Sequence, residues 1–187
     1  MKVAVFCGSS LGHSKEYENA VIELGAYFAQ NGIEVIYGGG NVGLMRVIAD
    51  SVLAFGGKVT GVIPTHLEQK EIAHPDLTKL YVVKDMHERK AKMAELADAF
   101  VALPGGVGTL EEIFEVYTWA QIGLHRKPCA FYNVNGYYDL MIEMIASMRN
   151  EGFVKAPYVE MLIEESQPEA LIKAFECYEA PQEKWSN

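Results

Sequence analysis

The chain has 187 residues, 50% hydrophobic and 22% charged, with 25 acidic side chains against 16 basic ones and a formal net charge of -9. A chain of this size and balance buries a full core without disulfide staples, which excludes a disordered, collagen-like or disulfide-framed protein. No run of five Lys or Arg occurs, so the basic patch that would coat a duplex or a membrane surface is missing, and neither nucleic acid nor membrane is expected as a partner.

In chain order, short apolar runs alternate with stretches of 3.6-residue period. Val3 to Cys7 is a first strand, ending in Gly8-Ser9-Ser10, and residues 14–31 are a helix closed by Asn31-Gly32. Ile33 to Tyr37 is a strand stopped by Gly38-Gly39-Gly40, followed by a helix over 42–55 and a strand from Val59 to Ile63. Pro64 to Leu77 has no clear period and reads as a loop or a short irregular helix. Leu80 to Val83, a helix over 85–97, and Ala99 to Leu103 follow, the last ending in Pro104-Gly105-Gly106. A helix over 109–122, a strand from Cys129 to Tyr132 and a helix over 136–150 come next. The tail has an apolar patch at Val159 to Ile163, a helix near 168–178, and residues after Pro181 that are expected to fray.

Strands apolar throughout are buried on both faces, and alternation with helices makes a parallel sheet wrapped on both sides. The expectation is an α/β fold: one doubly wound, Rossmann-like domain over residues 1–187. Cys7, Cys129 and Cys177 are widely spaced, with no CxxC pair or Cys/His cluster, and read as reduced thiols of a cytoplasmic protein without a metal site. The run from Val3 to Cys7 is too short for a signal-peptide core, and nothing approaches the roughly 18 apolar residues of a membrane helix.

In such sheets ligands bind at the carboxyl ends of strands. Three unusual segments fall there: Gly8-Ser9-Ser10, Gly38 to Gly43, and Pro104 to Thr109. A glycine-rich turn feeding a helix lets backbone approach a ligand and presents free N–H groups to an anion. Each could also be only a tight turn. Neither of the two longer segments ends in Gly-Lys-Ser/Thr, which argues against a P-loop. Gly38-x-Gly40-x-x-Gly43 fits the dinucleotide fingerprint formally, but it follows the second strand, and the next strand ends Val62-Ile63-Pro64 without an acid for a ribose diol.

Met86, Arg89, Met93, Leu96 and Ala97 share one side of their helix, so Arg89 falls in a stripe that should face inward. It reads either as a snorkelling side chain or as an anion or leaving-group contact. Lys90 and Lys92 read as solvent-facing, Lys90 standing close enough to the stripe to matter. Thr109 and Glu112 fit a capping box, Thr at the N-cap and Glu three residues on. Yet Glu111 and Glu112 at an anion-binding helix start would repel the ligand unless one had a chemical task.

Pro-Gly-Gly-x-Gly-Thr-x-Glu-Glu at 104–112, with Met86-x-x-Arg89-Lys90 upstream, resembles the LONELY GUY (LOG) family of cytokinin-activating phosphoribohydrolases, in older descriptions "lysine decarboxylase-like". The Gly-rich stretch 38–45, Thr118-Trp119-Ala120-Gln121 and Asn133-x-x-Gly136-Tyr137-Tyr138 are also similar, and the resemblance covers residues 2 to about 175. It implies hydrolysis of the N-glycosidic bond of a nucleoside 5'-monophosphate, such as AMP, to free base and ribose 5-phosphate. It implies Arg89 and Glu112 as the catalytic pair, Gly106 to Thr109 on the phosphoribosyl group, and further contacts from Lys90 and Glu71. With the strand-end residues, the expected substrate contacts are Ser9, Gly39, Gly40, Glu71, Met86, Lys90, Gly105, Gly106, Val107, Gly108, Thr109 and Glu111. It implies a homodimer with the site near the subunit boundary; no metal or other cofactor is expected. Arg46 departs from the family's usual Gly, as a surface change or as a cation near the phosphate. The rival readings are a non-catalytic nucleotide carrier or sensor, a dinucleotide oxidoreductase, and a pyridoxal phosphate lysine enzyme, whose pyridinium partner is not evident.

Overall fold

The computed structural model describes residues 1–71 and 73–182, the side chains of 69–71 excepted. The elements in order are β1 Lys2–Phe6, α1 Lys15–Gln30, β2 Glu34–Tyr37, α2 Gly43–Ala54, β3 Val59–Pro64, α3 Thr65–Glu71, β4 Lys79–Val83 and α4 Met86–Leu96. Then come β5 Ala99–Ala102, α5 Val107–Gln121, β6 Cys129–Tyr132, a 3-10 turn Val134–Gly136, α6 Asp139–Asn150, α7 Ala156–Glu160, β7 Leu162–Glu165 and α8 Pro168–Glu176.

The seven strands form one sheet in the order β4-β3-β2-β1-β5-β6-β7, and every pairing is parallel. This is the doubly wound α/β arrangement expected. Side chains alternate across each strand, so β1 sends Val3 and Val5 to one face and Ala4 and Phe6 to the other. The first face is covered by α1, α2 and α8 through Val21, Leu24, Phe28, Ile48 and Leu171. The second is covered by α4, α5, α6 and α7 through Met93, Ile113, Val116, Ile145 and Tyr158.

The chain winds outward from β1 in one direction through β4, then returns to β1's other side with β5. Val3 stands opposite Ala99 and Phe6 opposite Ala102. Adjacent strands whose connections leave in opposite directions open a crevice at their carboxyl ends. Here those ends are Gly8-Ser9-Ser10 and Pro104-Gly105-Gly106.

The unpatterned stretch from Pro64, expected as a loop or a short irregular helix, holds the short helix α3. Two other expectations shift. The helix expected over 136–150 is a 3-10 turn followed by α6, which begins only at Asp139. The apolar patch near Val159 divides into α7 and a seventh strand, β7, at the sheet edge. No helix among the described residues is long and apolar enough to cross a membrane.

Candidate active site

The loops after β1 and β5 touch, the Gly8 N–H donating to the Pro104 carbonyl at 3.1 Å. Beside them lies a cleft of about 390 Å³ lined by Cys7, Ser9, Met45, Leu67, Met86, Arg89, Gly106 to Thr109, Glu111 and Glu112. An adjoining hollow of about 310 Å³ shares Gly8, Ser9 and Gly106 and adds Ser10, Leu44, Gly105 and Tyr137. A wider hollow of about 690 Å³ between α1 and α8 is lined by exposed charged residues such as Glu23, Glu169 and Lys173, away from the strand ends.

The start of α5 forms one wall of the cleft. Its N-cap is Gly106, and no side chain caps it. The first amide to reach back is that of Leu110, to the Gly106 carbonyl at 3.2 Å. The Val107, Gly108 and Thr109 amides are therefore the orphan donors of a helix start, with its partial positive charge. A Cβ on Gly106 or Gly108 would meet nothing within 4 Å, so both face open space. This overturns the capping-box reading. Thr109 lies inside the helix, buried, with its hydroxyl against Gly105, and Glu112 is no part of a cap.

The other glycine-rich turn is filled by protein. Gly43, at φ +52°, would place a Cβ 2.2 Å from the Ser9 carbonyl carbon, and the Leu44 amide donates to Gly8 at 3.0 Å. Gly39 accepts from the His74 amide at 3.0 Å, and Gly40 bridges to Ala73 and accepts from the Tyr37 hydroxyl at 3.2 Å. Gly39 and Gly40 do not line the cleft. Gly38 makes room for Arg89.

Arg89 is only 6% exposed. Its Nη2 lies 3.8 Å from Oε1 of Glu112, its Nη1 reaches the Met86 sulfur at 3.7 Å, and its buried Nε has no hydrogen-bond partner among the described residues. A buried guanidinium with a donor unused is costly unless something else satisfies it. Cys7 lines the same cleft as the pair: burial, then the charge on Glu112, push its thiol well up, with Arg89 pulling the other way. It is a neutral lining group, and only its place at the end of the first apolar run could have flagged it.

Lys90 is buried, not solvent-facing. Its Nζ lies 2.5 Å from Glu111 and 3.0 Å from Glu115. Burial pulls its pKa down, but hydrogen bonds to Glu111 and Glu115 outweigh that and leave it raised. Glu111, the neighbour of Glu112, is thus neutralised from α4. Lys92 pairs with Glu95 on the surface at 3.0 Å. Arg46 is exposed and pairs with Asp50 at 3.9 Å, away from the cleft; Asp50 also accepts from Nε2 of the buried His74 at 2.8 Å. The side chain of Glu71 lies outside the described residues. Met45 and Leu67 line the cleft without having been expected there.

The family described as "Possible lysine decarboxylase" matches residues 45–175. A cytokinin riboside 5'-monophosphate phosphoribohydrolase of Arabidopsis thaliana is 43% identical over 183 residues, spanning 98% of this chain and 86% of the relative. The chain belongs to the LONELY GUY family. A probable LONELY GUY enzyme of the same description from Oryza sativa subsp. japonica is 42% identical over 190 residues, covering 98% of this chain and 85% of that one. Among solved structures, the molybdenum cofactor binding protein from Rippkaea orientalis superposes with a TM-score of 0.70 at 20% identity, covering 94% of each chain. The molybdenum cofactor carrier protein from Chlamydomonas reinhardtii gives 0.67 at 16% identity, over 94% of this chain and 95% of that one. At such identities these two speak for the fold alone.

Proposed function

We infer that the chain is a nucleoside 5'-monophosphate phosphoribohydrolase, cleaving the N-glycosidic bond of a substrate such as AMP or a cytokinin riboside 5'-monophosphate to free base and ribose 5-phosphate. The relatives that are 42% and 43% identical carry that activity in their names. The observation that carries the reading to these residues is the buried Arg89, with an unused Nε, beside Glu112 and facing an uncapped helix start.

The phosphate takes the amides of Val107, Gly108 and Thr109, where the partial positive charge of α5 favours an anion. That anchor sets the ribose over Glu112, and its binding energy orients the reacting centre. As the base departs, C1' gains oxocarbenium character. The Glu112 carboxylate stabilises it and takes a proton from the attacking water, as carboxylates do in glycosidases, while the departing base takes up a proton from solvent at the nitrogen it releases. Arg89 supports the ribose, the phosphate or the departing base with its unused donor. Met86, Met45 and Leu67 supply an apolar wall that suits a flat base. Lys90 does not behave as a Schiff-base lysine, which needs a lowered pKa rather than a raised one.

We read the 187 residues as one nucleotide-binding domain. A second copy of the chain covers the exposed apolar side chains Val107 and Leu124 at the ends of α5, Leu140 and Met144 on α6, and Phe153 after it. A molar mass by light scattering equal to one chain removes the dimer. Incubation with AMP tests the function. Adenine with ribose 5-phosphate supports it, adenosine with phosphate makes the chain a phosphatase, and unchanged AMP bound at the site makes it a carrier.

A further inference from the structure

The segment Asn133-x-x-Gly136-Tyr137-Tyr138 has no part in the chemistry above, yet it reaches the phosphate loop twice. The Tyr138 hydroxyl donates to the Leu103 carbonyl at 2.7 Å, and the Tyr137 hydroxyl donates to the Gly105 carbonyl at 2.5 Å. The carbonyl between them, on Pro104, accepts from the Gly8 amide at 3.1 Å. Three successive carbonyls leading into α5 are therefore all held by donors from outside the loop.

This matters because a trans peptide points its C=O and the following N–H in opposite directions, and the described chain has no cis bond. Holding the Pro104 carbonyl fixes the Gly105 N–H, and holding the Gly105 carbonyl fixes the Gly106 N–H and the entry angle of the helix behind it. A loop of Pro and two glycines has little else to keep it still. Gly105 leaves no room for a side chain, and Gly106 touches nothing where a Cβ would be.

The tyrosines are themselves braced. The Tyr138 amide donates to Asn133 Oδ1 at 2.7 Å, and Asn133 Nδ2 donates to Asp139 at 2.8 Å and to Glu164 at 2.7 Å. The Tyr138 ring stacks on Phe131 at 4.3 Å. The Tyr137 ring stands edge-on to Tyr138 at 5.0 Å and to Tyr17 at 5.6 Å. Burial drives the Tyr138 phenol's pKa far up, so it remains a donor at any working pH.

We propose that Tyr137 and Tyr138 are positioning residues that hold the carbonyls of Gly105 and Leu103, and so pre-organise the amides at the start of α5 for the substrate's phosphate. This rests on the functional reading above, in which that helix start holds the phosphate. The effect belongs to binding rather than to bond cleavage, since both hydroxyls are spent on loop carbonyls and not on Glu112 or Arg89.

The test is Tyr137→Phe, which keeps the ring packing and removes one hydroxyl at a partly exposed position. Tyr138→Phe accompanies it, with thermal melts on both to confirm folding. Ribose 5-phosphate binding is measured by calorimetry, and kcat and KM are measured for AMP. The expected result for Tyr137→Phe is ribose 5-phosphate affinity about tenfold weaker, the loss of roughly one well-placed hydrogen bond's worth of pre-organisation. KM for AMP should rise in parallel, with kcat within about twofold. A purely structural role predicts a lower Tm with KM and affinity unchanged, and that result overturns the proposal. Wild-type protein that binds no ribose 5-phosphate overturns the functional reading and this one with it. Equal binding by wild type and Tyr137→Phe overturns this one alone.

Discussion

The guanidinium of Arg89 stands where a side chain on residue 38 would stand: a Cβ on Gly38 would lie 1.8 Å from Nη2 of Arg89 and 2.8 Å from the end of Met45. A glycine at the end of β2 thus sets the place of a cation on α4. The backbone of Gly38 is not in the left-handed region, so alanine is conformationally acceptable there and the clash alone remains.

Gly38→Ala is therefore expected to fold and to fail as an enzyme. The far end of Arg89 must move by more than an ångström, and displacement of that size in a reacting site costs about 100-fold. The check is kcat/KM for AMP beside a thermal melt. Arg89→Ala should be worse still, and Arg89→Lys should recover little, because a lysine lacks the planar fork of donors. A Gly38→Ala enzyme with wild-type kcat/KM would show that the position of the guanidinium does not matter.

Glu112→Gln should lower kcat by at least about 100-fold, within the range for losing general-base help. Since Glu112 is not a helix cap, the melt should stay near that of the wild type. Glu111→Gln, which removes one of two carboxylates from Lys90, should cost less than about tenfold. Comparable losses in the two variants would mean that the carboxylates act as a pair, and that Glu112 has no special task.

Lys90→Met should lower stability by about 1–2 kcal/mol, between the worth of an exposed pair and a buried one. In a chain of this length that is a fall in Tm of about 3–6 °C. The sign with pH follows from the raised pKa of Lys90. The contribution is fully present below its ordinary value of 10.5 and is lost as pH rises through the higher folded value. The wild-type advantage should therefore hold steady from about pH 7 to 10 and shrink above that. A penalty that disappears near neutrality would remove Lys90's role in balancing Glu111 and Glu115.

AMP should be cleaved far faster than adenosine, because an uncapped helix start gains most from an anion. EDTA should leave the rate unchanged, since the cleavage drawn above asks only for a carboxylate, a guanidinium and helix amides. Turnover of adenosine equal to that of AMP would remove the phosphate from the account, and a rate lost to EDTA and restored by a divalent ion would add a metal to it.

The buried strands were legible because each is a short apolar run, β1, β2, β3 and β5 closed by Gly or Pro, and their alternation with helices left few topologies. β7 was not, because Leu162-Ile163-Glu164-Glu165 carries two charges, as suits an edge strand. The cleft's location followed from the glycine turns, but what each turn does was hidden. The turns from Gly38 to Gly43 and from Pro104 to Gly108 look alike in one dimension, yet the first receives Ser9, Gly8 and Arg89 and the second leaves space. The capping box failed because spacing alone satisfied the rule while α5 began earlier, at a point set by Gly105's contact with Gly8. Lys90 was misread because its partner Glu111 lies 21 residues away and no local pattern announces it.

The central pairing of β1 with β5 has a consequence for how activity is acquired. Lys2 and Asp98, joined by a hydrogen bond at 2.7 Å, are 96 positions apart. β1 must wait for β5, made some 96 residues later, before the sheet closes at its middle, and pairings of such long range are slow to form. Gly8-Ser9 and Gly105-Gly106 face each other only after that closure. Catalytic activity during refolding therefore reports the completion of the sheet, and it cannot precede the burial of β1 as measured by amide hydrogen exchange.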